Sequence, residues 1–369
     1  MFKRKRLTLQ NDVKLDELIV DSRQQPARDK RWLRLGLMAS GWALLLLSSC
    51  YTELGTLGGK NSHARGINSR GMVVGYSYTN ESGTPSHAFV YDPASKQMKD
   101  LGTAGGRGSG ANDISDTGLI VGSASGDFEY PVTWDATTGA FRVLDKGVFA
   151  FAAATHVGRN GWIAGYAGAT PSTDYYHRET VVWDPAGTLI RIGMLPGGTG
   201  TQTNGINSHG QVIGFTFGVE PWGSTYGFTW DPVHGLRAMP AGSGAFQYGA
   251  APEMINDNGD IIGRMFPPGG SAGVAAWWRA DTLERRTLPA SFGSLGLITI
   301  NNTGLVLANT GSPPQGVCAS LSTGTVTPLH TGEVTDEFYM QREDRINDSG
   351  AITGTRGGRA ALWDPGTCR

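Results

Sequence analysis

The residues best suited to chemistry are scattered, and each has a plainer use. Asn256-Asp257-Asn258-Gly259-Asp260 gathers several oxygens, as a calcium loop would. The run is too short for an EF-hand type loop and lacks its closing bidentate acid, so a tight turn explains it better. The seven histidines, His63, His87, His156, His177, His209, His234 and His330, show no His-Glu-x-x-His spacing. No Cys-x-x-Cys accompanies them, so no zinc site is expected. Glycine-rich runs such as residues 105–110 lack the lysine and helix of a phosphate loop. No Gly-x-Ser-x-Gly elbow occurs in a strand–turn–helix setting. No cofactor, metal or single catalytic constellation is therefore expected, although catalysis assembled from distant residues stays open.

Two groups of residues fit binding. One is aromatic and lies in swollen connections: Tyr175, Tyr176 and His177 in the first, Trp222 and Tyr226 in the second. Exposed aromatics beside polar groups suit a partner surface or a sugar ring. They could equally fold over the edge of their own repeat. The other group is polar and periodic: Arg65, Asn112, Thr155, Asn204, Glu253 and Asp344 each stand two residues before an apolar position that marks a repeat. If the strands carrying them are innermost, these residues line a central channel, which need hold nothing but water. Arg65, Glu253, Asp344 and Arg345 come nearest to a non-repeating cluster.

The elements that must position these residues follow from that period. Ile67-Asn68-Ser69-Arg70-Gly71 precedes Met72-Val73-Val74-Gly75, which reads as two strands joined by a tight hairpin. Equivalent apolar positions recur at 114, 157, 206, 255, 300 and 346, in steps of 43 to 49 residues. That period suits one four-stranded propeller blade. A third strand in each unit ends at an aromatic-Asp-Pro corner, as in Tyr91-Asp92-Pro93 and Trp183-Asp184-Pro185. The corner is degenerate at Trp278-Arg279-Ala280 and Leu321-Ser322-Thr323. Because the corner Asp repeats with the blade, it is read as structural. Only six fourth strands lie within the array. Tyr51-Thr52-Glu53-Leu54 matches Met98-Lys99-Asp100-Leu101, so the start of the mature chain should supply the seventh. The expected fold is all-β: a seven-bladed propeller of four-stranded blades, closed by that N-terminal strand. A six- or eight-bladed ring or an open array is the alternative.

Composition agrees with this reading. The 369 residues include 55 glycines and only 17% charged residues, which suits a turn-dense all-β chain. Net charge is −1, divided as +5 over residues 1–49 and −6 over the rest. A mildly acidic body disfavours nucleic acid as a partner. The apolar run of residues 35–49 would span roughly 22 Å as a helix, short of a roughly 30 Å hydrocarbon core. It suits the apolar part of a secretory signal. Leu47-Ser48-Ser49-Cys50 resembles the bacterial lipobox, which implies lipidation at Cys50 and a mature chain beginning there. By that resemblance, Tyr51 in the next position favours the outer membrane. An uncleaved anchor is the competing reading, and residues 1–27 are unusually long for what precedes a signal. The chain thus divides into residues 1–49, an extension with a signal peptide, and residues 50–369, the propeller. Cys318 and Cys368 are expected to stay unbridged, because the repeat register puts them near opposite ends of neighbouring third strands.

The first repeat resembles the bacterial HAF extracellular repeat family, whose triplet is His87-Ala88-Phe89 here. Leu57-Gly58-Gly59, Ile67-Asn68 with Gly71, and Val74-Gly75 match its other elements. The triplet is replaced later by Pro131-Val132-Thr133, Thr180-Val181-Val182 and Gly227-Phe228-Thr229. The resemblance implies export and a repeat fold but no settled activity, and the lost triplets mark His87 as a packing or turn residue. The expected protein is an exported, lipid-anchored monomer acting as a cell-envelope binding or scaffolding module. Its partners would be the membrane and an envelope protein or glycan. A carbohydrate-active lyase or hydrolase using the channel, and a structural envelope protein without a ligand, are the alternatives.

Overall fold

The computed structural model describes residues 51–169, 177–219, 224–240, 249–266, 273–311, 315–329 and 345–364. They belong to one compact unit, Ser49–Arg369. Among them, seven four-stranded antiparallel sheets form a seven-bladed β-propeller. After β1 (Tyr51–Glu53), the first blade runs β2 (Ser62–Ile67), β3 (Val73–Tyr78), β4 (Ser86–Asp92) and β5 (Gln97–Asp100). The first strands of the next five blades are β6 (Gly108–Ile114), β10 (Phe151–Val157), β14 (Gly200–Ile206), β18 (Ala250–Ile255) and β22 (Gly296–Ile300). These strands touch their counterparts in neighbouring blades, so they form the inner wall.

The last blade is composite. It orders as β26 (Arg345–Ile346), β27 (Ile352–Arg356), β28 (Arg359–Trp363) and then β1. Tyr51 pairs with Trp363 and Glu53 with Ala361. Tyr91 pairs with Met98 in the same way in the first blade. The start of the propeller thus takes the outer place in the final sheet, and a hydrogen bond from Leu54 N to Ala360 O extends the closure. Closing the ring this way leaves β28 paired on both edges, like the third strands of the other blades.

Between blades the core is apolar. Trp134, Trp183, Trp278 and Trp363, the corner residues of four third strands, are fully buried. The inner hairpins of the first six blades each carry a bulge. Ala64 pairs with Gly75 but Gly66 pairs with Val74, which leaves Arg65 as the extra residue. The same shift occurs at 111/113, 154/156, 203/205, 252/254 and 297/299. The bulge also explains the repeated glycine of the second strand. A Cβ at Gly75 would collide with the His63 carbonyl, and one at Gly165 with that of Ala153. A bulge re-aims the residues beside it, and in these six blades it sets two consecutive residues toward the axis.

The Asx turns staple blades together. Asn207 Nδ2 donates to the Asn256 carbonyl (3.2 Å), Asn256 to Asn301 (3.0 Å) and Asn301 to Asn347 (2.8 Å). Asn347 donates to Asn68 across the closure (2.9 Å), and Asn68 to Ser115 (3.2 Å). Each Oδ1 meanwhile accepts backbone N–H groups of its own turn, such as Thr303 and Leu305 at Asn301. Asparagine alone among the turn formers offers both an acceptor and a strong donor, so one side chain does both tasks. The chain of staples is interrupted where Ser115 and Gly158 occupy the position.

Corner aspartates act locally. Asp135 Oδ1 accepts the N–H groups of Thr137 and Thr138, and Asp184 Oδ1 those of Ala186 and Thr188. Backbone hydrogen bonding from Thr138 and Thr188, respectively, holds each carboxyl below its ordinary range.

Cys318 is disulfide-bonded, with its partner outside the described residues. The register argument for an unbridged Cys318 therefore fails. It treated the chain beyond Trp363 as a continuing strand, whereas Cys318 lies in the same buried cluster as Trp363.

Candidate functional site

The axis is divided into two chambers by the leading apolar residues. Toward the Asx turns, Ile67, Ile114, Val157, Ile206, Ile255, Ile300 and Ile346 surround a space of about 150 Å³. All seven are buried. Arg159 spans this end. Its Nε lies 2.6 Å from Asp116 Oδ2 and 3.2 Å from Asp257 Oδ2, and Nη2 lies 2.7 Å from Asp348 Oδ2. One guanidinium from the third blade thus gathers carboxylates from the second, fifth and seventh. Only this repeat places an arginine where the others have Ser, Asp or Asn. The oxygens that suggested calcium are engaged: Asp257 also accepts from Ser208 N, and Asp260 from Trp277 Nε1 and Arg279 Nη1.

On the other side of the apolar ring lies a cavity of about 320 Å³. The third blade contributes Thr155, His156, Tyr166 and Arg178. The fourth contributes residues 201–204, and the remaining blades Glu253, Met254, Ile298 and Arg345. This lining does not repeat: the position directly before each leading apolar residue holds Gly66, Asp113, His156, Gly205, Met254, Thr299 and Arg345. A larger groove of about 660 Å³ lies beside the first two blades, but it is walled by repeated corner and turn residues such as Asp92 and Pro93.

The electrostatics of the cavity centre on Arg345. Burial, and then the charge of Arg345, push the His156 imidazole down to about 3, against a hydrogen bond to the Thr203 backbone. His156 is therefore neutral at any physiological pH. Asp113 lies just below, lining the smaller chamber. Its oxygens accept Ile114 N (2.9 Å) and Val157 N (3.1 Å). Burial still raises it to about 6, opposed by Arg345 and those hydrogen bonds and aided by Asp116. A neutral imidazole and a guanidinium thus line the cavity, and the same guanidinium charge is felt by Asp113 in the smaller chamber. Near the upper end, Arg178 is held over Tyr166 (4.4 Å) and Phe151 (5.6 Å). Tyr166 O–H donates to Glu129 Oε2 at 2.8 Å.

Of the residues singled out from sequence, Thr155, Asn204 and Glu253 line the cavity. Asn204 also spans two blades, donating to the Pro252 carbonyl. Arg65 and Asn112 join each other at 2.5 Å, and Asn112 donates to the Ala154 carbonyl, so both build the wall between blades. Arg65 also covers the Tyr76 ring at 4.7 Å. His177 is exposed at the entry to β12 (Glu179–Trp183). Tyr226 is not a free loop aromatic: it pairs with Thr216 and packs against a buried cluster, because its strand is longer than the pattern suggests. Cys50, Tyr175, Tyr176, Trp222, Asp344 and Cys368 lie outside the described residues. His87 is paired with Asp100 on the neighbouring strand, at 2.9 Å. Sequence reasoning missed Asp113 and His156. Their signal was present as charged or titratable residues directly before a leading apolar position, but only a bulge turns two successive residues inward.

No protein-family model matches the chain, and no curated protein matches it. Solved structures do. The chain is similar to an oligogalacturonate lyase from Vibrio parahaemolyticus (TM-score 0.58, 13% identity, covering 85% of this chain and 92% of that one). It is also similar to the β-propeller domain of the Trilobed protease from Pyrococcus furiosus (TM-score 0.50, 13% identity, 73% and 83%). A third is an acylaminoacyl peptidase from Pyrococcus horikoshii (TM-score 0.53, 10% identity, 82% and 51%). At these identities the likeness concerns the fold alone, and the fold is a β-propeller.

Proposed function

We propose that this protein is an exported, lipid-anchored propeller that binds a ligand in the axial cavity. The observation carrying the reading is the contrast along one axis. The turn end is occupied by repeated structural residues and Arg159, whereas the 320 Å³ cavity is where the copies diverge into polar and charged side chains. A pocket with a few convergent polar groups and perturbed titration is the default binding-site hypothesis in a fold that itself implies no activity. Filling the cavity with Ile298→Trp should abolish ligand retention on a glycan array and in envelope co-purification while leaving the fold intact. Retention unchanged by that variant would refute the reading.

The anchor supports a consistent orientation. Cys50 adjoins Tyr51, about 3.8 Å away along the chain. Tyr51 lies opposite Trp363, which pairs on its other side with Ile352, directly after the Asx turn of the last blade. A lipid on Cys50 would leave the propeller on the Asx-turn face and present the cavity away from the bilayer. The lipobox resemblance and the HAF-like first repeat support export. Cys50→Ala should move the protein from the membrane fraction to the soluble one, and unchanged partitioning would sink the anchor.

A second reading has one specific observation behind it. His156 and Arg345 line the cavity at positions that do not repeat, and Arg345 also acts on Asp113 from across the apolar ring, which are residue types that acid–base chemistry on a polysaccharide would use. Turnover of a polysaccharide panel, lost in both Asp113→Asn and His156→Gln, would favour a lyase or hydrolase. No turnover by the unaltered protein would remove that reading.

A further inference from the structure

We infer that the axial cavity is a blind pocket, shut on the turn side by two barriers in series, so that a ligand enters and leaves on the face opposite the Asx turns and a polymer enters only by its end. That a ligand occupies it rests on the cavity being a binding site, whereas the closure stands on geometry alone.

The first barrier is the ring of leading apolar residues. Among the described residues, none lines both chambers, and the seven side chains between them, from Ile67 to Ile346, are 4–9% exposed. Six isoleucines and one valine around the axis offer water no hydrogen-bond partner. A hydrated ligand would have to shed its water to pass such a constriction.

The second barrier is Arg159, which lies across the turn end. Its reach depends on how three carboxylates are held. Asp116, Asp257 and Asp348 each use Oδ1 to accept a backbone N–H from the blade before, those of Ser69 (2.7 Å), Ser208 (2.8 Å) and Asn302 (2.9 Å). Oδ2 of each is left for the guanidinium. Asn302 Nδ2 adds bonds to Oδ2 of Asp257 (3.3 Å) and of Asp348 (3.1 Å). Acceptors fixed in this way, met by a planar donor with several N–H groups, make a bolt that a lysine could not reproduce. The Arg159 side chain is 44% exposed, so salt loosens the bolt from outside. With its floor shut, a cavity of about 320 Å³ holds a small molecule or one end of a chain, and the middle of a polymer cannot thread it.

The test is thiol labelling of the full chain in detergent with a neutral glucosyl methanethiosulfonate, taking the unaltered protein as background. Ile298→Cys sets the thiol in the cavity and Ile300→Cys in the ring. The Ile298→Cys thiol should react at a rate that Arg159→Ser leaves unchanged. The Ile300→Cys thiol should react at least about tenfold faster once Arg159→Ser is added. Raising salt makes the same comparison without touching Arg159: it should speed labelling at Ile300→Cys and not at Ile298→Cys. An unreactive Ile298→Cys thiol would mean no mouth on the far face, and one accelerated by Arg159→Ser or by salt would mean a through channel; either overturns the inference. An Ile300→Cys rate indifferent to both would show that Arg159 is no barrier. Any glycan retained on an array should be retained when tethered through one of its ends and not through the other, and equal retention of both would overturn entry by the end. Retention of no glycan, with labelling as expected, would refute the binding reading and leave the blind pocket standing.

Discussion

Asn301 tests whether the Asx turns hold the ring together or merely turn the chain. The residue is 4% exposed. Its Nδ2 donates to the Asn347 carbonyl at 2.8 Å, and its Oδ1 accepts from Thr303 N, Thr303 Oγ1 and Leu305 N at 3.1, 2.8 and 2.9 Å. Replacing it with alanine removes one of two donors to the Asn347 carbonyl, which keeps Gly350 N at 3.0 Å, so this loss costs about 1 kcal/mol. The two backbone N–H groups lose their acceptor as well, each bond worth about 1 kcal/mol net. Part of that second loss is recovered because the turn borders solvent, so Asn301→Ala should destabilise the propeller by about 2 kcal/mol. Asn301→Asp keeps the acceptor but sets a carboxylate against a carbonyl, and should cost at least as much. Asn301→Ser should cost less, because Ser115 already serves at the equivalent place by accepting Leu119 N at 3.1 Å. Urea unfolding followed by tryptophan fluorescence gives the comparison, with Thr303→Ala as a control that disturbs only one exchangeable contact. A loss below about 1 kcal/mol for alanine, or an aspartate variant as stable as wild type, would refute the idea of an inter-blade staple.

Arg159→Met should lower stability by about 1–2 kcal/mol, more at low than at high salt, since it leaves Asp116, Asp257 and Asp348 facing one another; salt-independent stability would contradict the ion network. Deleting residues 51–53 removes the outer strand of the last sheet and should lower the thermal midpoint markedly; a midpoint that hardly moved would mean that β1 does not close the ring. Non-reducing peptide mapping should find Cys318 linked to Cys368, because a lipid on Cys50 excludes that residue; a link between Cys318 and Cys50 would refute the anchor. Asp113 binds its proton up to about pH 6 when folded but only to about pH 4 when unfolded, so its contribution to stability falls as pH rises between those values. His156 holds a proton up to about 6.5 only when unfolded and to about 3 when folded, so its contribution falls as pH falls. The two slopes, each up to about 1.4 kcal/mol per pH unit, oppose one another between about pH 4 and 6. Relative to wild type, His156→Gln should therefore gain stability on acidification through that window and Asp113→Asn should lose it. Parallel curves for all three proteins would show that neither group is perturbed.

The seven-blade architecture and its closing strand could be read from residue order, because they follow from local rules repeated at a fixed period. An Asn-x-x-Gly turn needs only its own residues, and Tyr51-Thr52-Glu53-Leu54 announces its place by matching Met98 to Leu101. The cavity could not be read in that way. Which side chains reach the axis beside Arg345 depends on a bulge that adds an inward-facing residue in six blades, and on a ring that brings Asp113, His156 and Arg345 of blades two, three and seven to one axis. Tyr226 shows the converse, since its exposure depended on where a strand ended. The turn residues of Ile67 to Gly75 that dominate the sequence serve the ring and close its end around Arg159. The chemistry lies one or two residues earlier, where neighbouring copies differ and where long-range packing alone determines which side chains share a floor and whose charge shifts whose proton.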